Sequence, residues 1–286
     1  MFLSCDIGNT NTVLGIYKNL NGNYDDDEDI FKVYRISTSQ IYSDKDIFYV
    51  LSKLFSGDSI SINDVKNACI SSVVPPQNKF YESFCKLLDC NVIFISSASK
   101  TDINILVENP EKLGSDRLVN AGYAYHLHKE FQIIVDIGTA LTIDIIDENG
   151  NFKGGVIFPG IKMLAVCLNE KTAALPLIDV DAVIYNSDNY NYKNIITPIP
   201  STPTIPLIGN NTVKSIQSGL LYGTIFLIEG FIKEIQAQYN KKECKVIFTG
   251  GLSNIIADKC KIKGLKIIDD LWTIKGLKFL YQLNTF

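Results

Sequence analysis

The segment Asp6-Ile7-Gly8-Asn9-Thr10, at the end of the first hydrophobic run, is echoed 130 residues later by Asp136-Ile137-Gly138-Thr139-Ala140 in the same setting. In each copy an apolar run (Phe2 to Cys5, then Ile133 to Val135) delivers an Asp to its end. A Gly turn follows, and a second apolar run leaves (Val13 to Tyr17, then Leu141 to Ile146). Glycine in such a turn is expected to supply a positive φ and to let the backbone approach a ligand closely. The adjoining N–H groups and the Asn or Thr side chains can cradle phosphate oxygens, and an Asp at the strand end can hold a cation or its water. One Asp-Gly turn alone says little, because both residues are common in hairpins for structural reasons. Two copies at matching strand positions say more: they point to a duplicated, two-domain phosphotransferase.

The length of 286 residues allows two domains, each with its own core. With 46% apolar and 20% charged residues the chain reads as an ordinary globular protein. A net charge of -4 and scattered rather than clustered Lys and Arg argue against nucleic acid as a partner. No apolar stretch looks long enough to span a bilayer, and Asp6 interrupts the N-terminal run before it could serve as a signal peptide, so no membrane partner and a cytoplasmic location are expected. The seven cysteines form no C-x-x-C pair, and with only His126 and His128 present zinc-ligand spacing is absent. Most of the cysteines stand in apolar surroundings and read as small buried thiols.

The spacing predicts strands over 2–7, 12–17 and 31–36, a helix near 43–56, then strand 67–73, helix 76–89 and strand 91–96. The acidic run Asp25 to Asp29 reads as a solvated turn between hairpin strands. A helix is expected from Gly114-Ser115 to about His128, which puts Asp116 and Arg117 in its first turn. The second copy follows as strands 132–136, 141–147 and 152–157 and a helix near 161–173. Residues 179–209, rich in Asn, Tyr and Pro, read as an irregular surface insertion. A long helix over Thr212 to Gln238, strand 245–249, helix 252–258, strand 265–268 and an amphipathic helix near 270–282 complete the chain. Two halves that each open with an antiparallel meander and continue into β-α units resemble a duplicated ribonuclease-H-like α/β fold, the superfold of sugar kinases, actin and the heat-shock chaperones, with nucleotide between the lobes. The lobes are expected at 1–115 and 116–286.

No Walker A sequence is present and no G-x-G-x-x-G follows a strand, so phosphate falls to the two Asp-x-Gly turns. Phosphoryl transfer passes through a loose transition state in which positioning and charge neutralisation supply most of the acceleration, which makes magnesium an expected cofactor. It also needs a carboxylate to orient and finally deprotonate the acceptor hydroxyl. Asp116 is the candidate, at a helix start between the two copies. Taken alone, it could equally be an acidic residue stabilising a helix dipole. Arg117 suits an anionic substrate group or a surface ion pair. Gly250 and Gly251 are either helix-entry glycines or the place where an adenine or ribose meets the backbone. His126 and His128 read as surface or packing residues.

Taken in order, Asp6-Ile7-Gly8-Asn9-Thr10-Asn11-Thr12, Ser72-Val73-Val74-Pro75, Asn109-Pro110 with Gly114-Ser115-Asp116-Arg117, Asp136-Ile137-Gly138-Thr139-Ala140, Gly154-Gly155 to Pro159-Gly160, Thr172 to Pro176, Ile208 to Val213, Gln217-Ser218-Gly219 and Thr249-Gly250-Gly251 make the chain resemble a type III pantothenate kinase over nearly its whole length. The resemblance implies ATP-dependent phosphorylation of pantothenate at its primary hydroxyl, the first step of coenzyme A synthesis. It implies that Asp6, Ile7, Gly8, Asn9, Thr10, Asn11, Thr12 and Val13 bind ATP phosphates with Mg2+, and that Thr139 touches ATP. Asp116 would accept the proton. Val107, Gly114, Ser115, Asp116 and Arg117 would line the pantothenate site, and Thr212 would reach it across a homodimer interface. Asp136 would hold a monovalent cation, K+ or NH4+. Three features depart from the family pattern: Val107 stands where many members carry an aromatic, Phe158 replaces a usually small residue, and the 179–209 segment is about twenty residues longer than expected. A kinase for another small alcohol, or a nucleotide-binding regulator of the same superfold without transfer activity, remains the alternative. A pure binder has no need of a carboxylate at Asp116.

Overall fold

The computed structural model of the chain describes residues 1–20, 29–41, 43–181 and 205–285. Most of the acidic run (21–28) and most of the Asn/Tyr/Pro-rich insertion (182–204) lie outside the described residues.

Strand β1 (Phe2–Ile7) runs antiparallel to β2 (Asn11–Tyr17), with Phe2 opposite Tyr17 and Ile7 opposite Thr12. Strand β3 (Ile30–Ser37) continues the meander antiparallel to β2. On its other side β1 pairs in parallel with β4 (Asn67–Ser72), and β4 in parallel with β5 (Asn91–Phe94), giving the order β3-β2-β1-β4-β5. Helices α1 (Asp44–Gly57) and α2 (Pro75–Leu87) are the crossovers that parallel pairing requires. Pro75 opens α2, where a missing N–H costs nothing.

After α3 (Ser115–Leu127) the arrangement repeats. Strands β7 (Gln132–Ile137), β8 (Ala140–Ile146), β9 (Asn151–Pro159), β10 (Lys245–Thr249) and β11 (Lys266–Ile268) form a sheet in the order β11-β10-β7-β8-β9, which is the first order read in reverse. A short strand β6 (Asn104–Ile105) is added at its edge beside β9. The duplication extends to burial, residue by residue. β1 and β7 share one pattern, four buried positions, a half-buried Asp and a buried Ile, and β2 and β8 share another. This is the duplicated ribonuclease-H-like α/β fold. The edge strand β6 is an element that the two-residue run Asn104-Ile105 was too short to signal.

Helix α4 (Ile161–Glu170) follows β9; α5 (Thr212–Gln238) and α6 (Ser253–Lys259) flank β10. α5 is long and apolar enough to cross a membrane by length and composition, which corrects the expectation that no stretch reaches that length. Part of that hydropathy is a core stripe, Ile216, Leu220, Leu221, Ile225, Ile228 and Ile232, buried at helical spacing. The last helix, α7 (Trp272–Thr285), differs from the amphipathic helix expected near 270–282: every residue from Trp272 to Tyr281 is buried. It packs on α3, β1 and β4. Trp272 Nε1 donates to the Asn120 carbonyl at 3.1 Å and its ring lies 4.7 Å from Tyr123. Gly15 leaves room for Ile274, whose Cγ2 would stand 2.3 Å from a Cβ there. Lys278, fully buried, is paired with Asp29 at 3.1 Å and lies over the Tyr17 ring, the form of burial a lysine tolerates. The His126 ring lies tilted against Phe279 with centroids 4.1 Å apart, a packing role as expected.

By packing, Met1–Ile134, Asp144–Gly154 and Leu271–Phe286 make one compact unit, and Val135–Ile143 with Gly155–Asp270 the other. The lobe limits expected at 115/116 follow the sequence repeat, whereas these units follow contacts, above all the return of α7 to the first sheet.

Candidate active site

In the first unit the site is assembled by sheet register. Asp6, at the end of β1, is opposite Ser71 of β4. The Ser71 hydroxyl meets Ser115 Oγ at 3.0 Å, and Ser115 Oγ also accepts from Ser72 N at 2.8 Å and donates to the Ser72 carbonyl at 3.1 Å. These three bonds lock the first residue of α3 to the end of β4, so the next residue, Asp116, is delivered to the neighbourhood of Asp6. The charges feel one another. Burial, with the nearby Asp116 charge adding to it, pushes the Asp6 carboxyl up to about 7, against the Ser71 hydrogen bond and Arg35, which lower it. The Asp116 carboxyl is likewise raised by burial, while the Arg117 N–H and the Arg117 charge pull it down.

Asp116 folds back over its own helix start. Its Oδ1 accepts from Arg117 N at 2.8 Å and would stand 2.5 Å from a Cβ placed on Gly114, so a side chain at 114 would displace the carboxyl. Arg117 turns away to Asp144 of β8: Nε donates to Oδ1 at 3.1 Å and Oδ2 at 3.0 Å, and Nη2 donates to Oδ1. Asp144 is buried, and the Phe152 ring lies 5.6 Å from Arg117 Cζ. Asp144 fixes the guanidinium by a fork-to-carboxylate pairing that lysine could not reproduce. Sequence reading did not single it out. The available signal was a lone carboxylate inside an apolar strand, which must find a partner.

The turn between β1 and β2 is braced from β3 and the residue after it. Thr38 N donates to the Thr10 carbonyl at 3.0 Å, Thr38 Oγ1 donates to the Gly8 carbonyl at 2.7 Å, and the buried Thr12 hydroxyl meets Thr38 Oγ1 at 3.0 Å. Gly8 and Gly138 do not take the positive φ expected of them. At Gly8 the requirement is space, since a Cβ there would stand 3.0 Å from the Asn11 carbonyl oxygen. Asn9 and Thr10 are exposed, Asn11 and Val13 half-buried and Ile7 buried. Val107, half-buried, lies beside Gly154.

The second unit gathers Asp136, Thr139, Gly160 and Gly250. Gly250 has φ +90°, and a Cβ there would stand 2.5 Å from Asp136 Oδ1 and 2.7 Å from the Ile137 carbonyl. A Cβ on Gly160 would stand 2.3 Å from the Gly138 oxygen and 2.4 Å from that of Thr139, while its N–H donates to Thr139 O at 3.0 Å. Gly250 therefore serves a close approach to the end of β7, whereas the sequence left helix entry and an adenine or ribose contact as equal alternatives. The half-buried Asp136 and the Ile137 carbonyl thus border Gly250, and the Gly138 and Thr139 carbonyls border Gly160. Thr212, exposed, is the first residue of α5, whose N-cap Asn211 accepts from Lys214 N at 2.9 Å. Phe158 is exposed at the end of β9.

Two solved kinases of sugars resemble the chain over almost its full length. An inorganic polyphosphate/ATP-glucomannokinase from Arthrobacter sp. strain KM superposes with a TM-score of 0.48 at 10% identity, over 99% of this chain and 98% of that one. A ROK family glucokinase from Streptomyces griseus, in complex with glucose and AMPPNP, gives 0.48 at 12% identity over the same shares. The family described as type III pantothenate kinase matches residues 2–234, which include both Asp-x-Gly turns, the start of α3 and Thr212. This chain belongs to the type III pantothenate kinase family, enzymes that phosphorylate pantothenate with ATP.

Proposed function

We propose that in this kinase Asp116 orients and deprotonates the primary hydroxyl of pantothenate, while Asp6 and the turn from Ile7 to Val13 hold the ATP phosphates. The observation that carries the reading is the Ser71, Ser72 and Ser115 link, which sets the start of α3, with Asp116, beside the strand end that pairs with Asp6; burial raises both carboxyls there. Two carboxylates pressed together by burial favour a divalent cation, and the chemistry of Asp6 fits Mg2+. When bound, magnesium neutralises charge on the transferring phosphoryl group. Asp116, held by its bond from Arg117 N and raised by burial above an ordinary carboxyl, is the group placed to take a proton. Arg117, whose guanidinium is fixed on Asp144, would line the pantothenate site with Gly114, Ser115 and Val107.

Asp136 and the carbonyls beside it would hold the monovalent cation, a hard-ion oxygen set, and Thr139 would touch ATP. A coupled assay with pantothenate, ATP and magnesium tests both statements. Turnover in sodium buffer is expected to rise at least about tenfold on adding potassium or ammonium, the size of a rate term that depends on placing the phosphates. Equal rates in the three salts would remove the cation from Asp136, and transfer to another alcohol but not pantothenate would overturn the substrate.

The family resemblance also proposes a cytoplasmic homodimer in which Thr212 contacts pantothenate from the partner. Support comes from α5, where Phe226 is 54% exposed and stacked on Tyr222, Val213 is 43% exposed, and Gly219, Gly223 and Gly230 open onto clear space. Light scattering should give twice the 31.9 kDa chain mass, and Phe226→Asp should shift the protein to monomer. A fully active monomeric wild type would refute the shared site.

A further inference from the structure

The C-terminus of α2 carries two thiols that phosphoryl transfer leaves unused. The Cys90 N–H donates to the Cys85 carbonyl at 2.9 Å and the Asp89 N–H to the Lys86 carbonyl at 3.3 Å, around Asp89 at φ +50°. That is a Schellman motif, in which the side chains of the first and last of the six residues meet. Both positions are usually apolar. Here both are cysteines, and the Cys90 Sγ donates to the Asn91 carbonyl at 3.7 Å.

The two thiols stand in different settings. Cys85 is 1% exposed, within the core that holds Tyr81 and Phe84. Cys90 is half-buried, just ahead of β5. The neighbouring Cys85 thiol lowers the Cys90 thiol, burial opposes this, and the Lys66 ammonium and the chain's own N-terminus lower it further. Cys90 in turn, with burial, drives the Cys85 thiol far up. Lys66 is held there by donating from Nζ to the Leu88 carbonyl at 3.4 Å. A disulfide needs Cα atoms about 4.4–6.8 Å apart. The 2.9 Å bond between the two backbones brings them into that range.

From this geometry we infer that Cys85 and Cys90 are a peroxide-responsive dithiol, with Cys90 as the attacking sulfur and Cys85 as the resolving one. The Cys90 thiolate attacks one oxygen of hydrogen peroxide and the O–O bond breaks, leaving Cys90 sulfenic acid and hydroxide. Cys85 Sγ then attacks Cys90 Sγ, the S–O bond breaks, and the Cys85 proton leaves with the hydroxyl as water. Each sulfur is oxidised by one electron, and peroxide takes up both. The α2 end closes into a six-residue ring already shaped for it.

Limited peroxide treatment of the full-length protein, followed by alkylation and tryptic mapping, tests this. The peptides Phe80–Lys86 and Leu87–Lys100 should be recovered joined, lighter by two hydrogens, and dithiothreitol should separate them. The joined species should form at least about tenfold faster than oxidation of Cys167, the exposed thiol, as expected where a thiolate is stabilised. Cys85→Ser should leave a sulfenic acid at Cys90 that dimedone captures, and Cys90→Ser should abolish the joined peptide. Oxidation of Cys167 ahead of an intact Cys85 and Cys90 pair, or linkage of Cys90 to a different cysteine, would overturn the inference.

Discussion

Replacing Asp116 by Asn is expected to lower kcat for pantothenate about 10²–10³-fold while leaving ATP affinity within a few-fold. The effect falls in the lower part of the usual range for a general base because phosphoryl transfer is loose, so the acceptor hydroxyl loses little of its proton before bond formation. Orientation of that hydroxyl is the larger share. Asn keeps the shape and the oxygen that accepts from Arg117 N, and it still fits over Gly114, so helix α3 should start as before. It cannot accept a proton. The change also removes one of two repelling carboxylates, which predicts a thermal midpoint no lower than wild type. That separates a chemical defect from a folding defect. Single-turnover kinetics beside ATP binding make the measurement, and kcat within about tenfold of wild type would take Asp116 out of the base role. The acidic limb of kcat/KM should belong to Asp6 and Asp116 as a pair, since interacting carboxyls titrate together.

The fold was legible in the sequence to an unusual depth because the duplication is carried by residues with little freedom. An Asp at the end of an apolar strand followed by Gly appears twice, and the structure repeats the burial pattern of β1 in β7 and of β2 in β8. Local periodicity found the strands. It could not find what is made by long-range contact. Thr38, which braces the first turn, lies 30 residues from the Gly8 carbonyl it bonds. The Ser71, Ser72 and Ser115 knot joins residues 43 or 44 apart, and each serine alone reads as an ordinary cap or strand end. Asp144 was overlooked because its meaning comes entirely from Arg117. Helix α7, expected to be amphipathic, is buried on all sides from Trp272 to Tyr281, its Lys275 and Lys278 included, with the Lys278 charge met by Asp29. For the cysteines, reading them as buried thiols fits Cys5, Cys69, Cys85 and Cys260. Cys90 escaped that description because a helix-ending motif, invisible to composition, sets it against Cys85.

Asp6→Asn should move activity and stability in opposite directions, and pH should set the size of the second effect. The carboxyl is raised from 3.8 to about 7, so between those values the folded chain holds a proton that the unfolded chain has released. Stability contributed by this group is therefore greatest at low pH, falls as pH rises from about 4 to 7, and is flat above. Asn has no charge to bury and none to repel Asp116. Its advantage over wild type is thus small near pH 4 and grows through the window at up to about 1.4 kcal/mol per pH unit. Asp6 is half-buried and partly reached by solvent, so a gain at pH 8 over pH 5 of order 2 kcal/mol is expected. For a chain of this size that is a rise of several degrees in the midpoint. Turnover with Mg-ATP should fall about 10²–10³-fold if, as proposed, the carboxylate that destabilises the free enzyme is the group that meets the cation when nucleotide binds. Magnesium with ATP should correspondingly raise the wild-type midpoint at pH 8 more than that of the variant. Thermal melts of both proteins at pH 5 and pH 8, with and without Mg-ATP, decide it. A midpoint difference that is the same at both pH values, or a variant less stable than wild type at pH 8, would show that Asp6 is not a strained carboxyl held for its ligand.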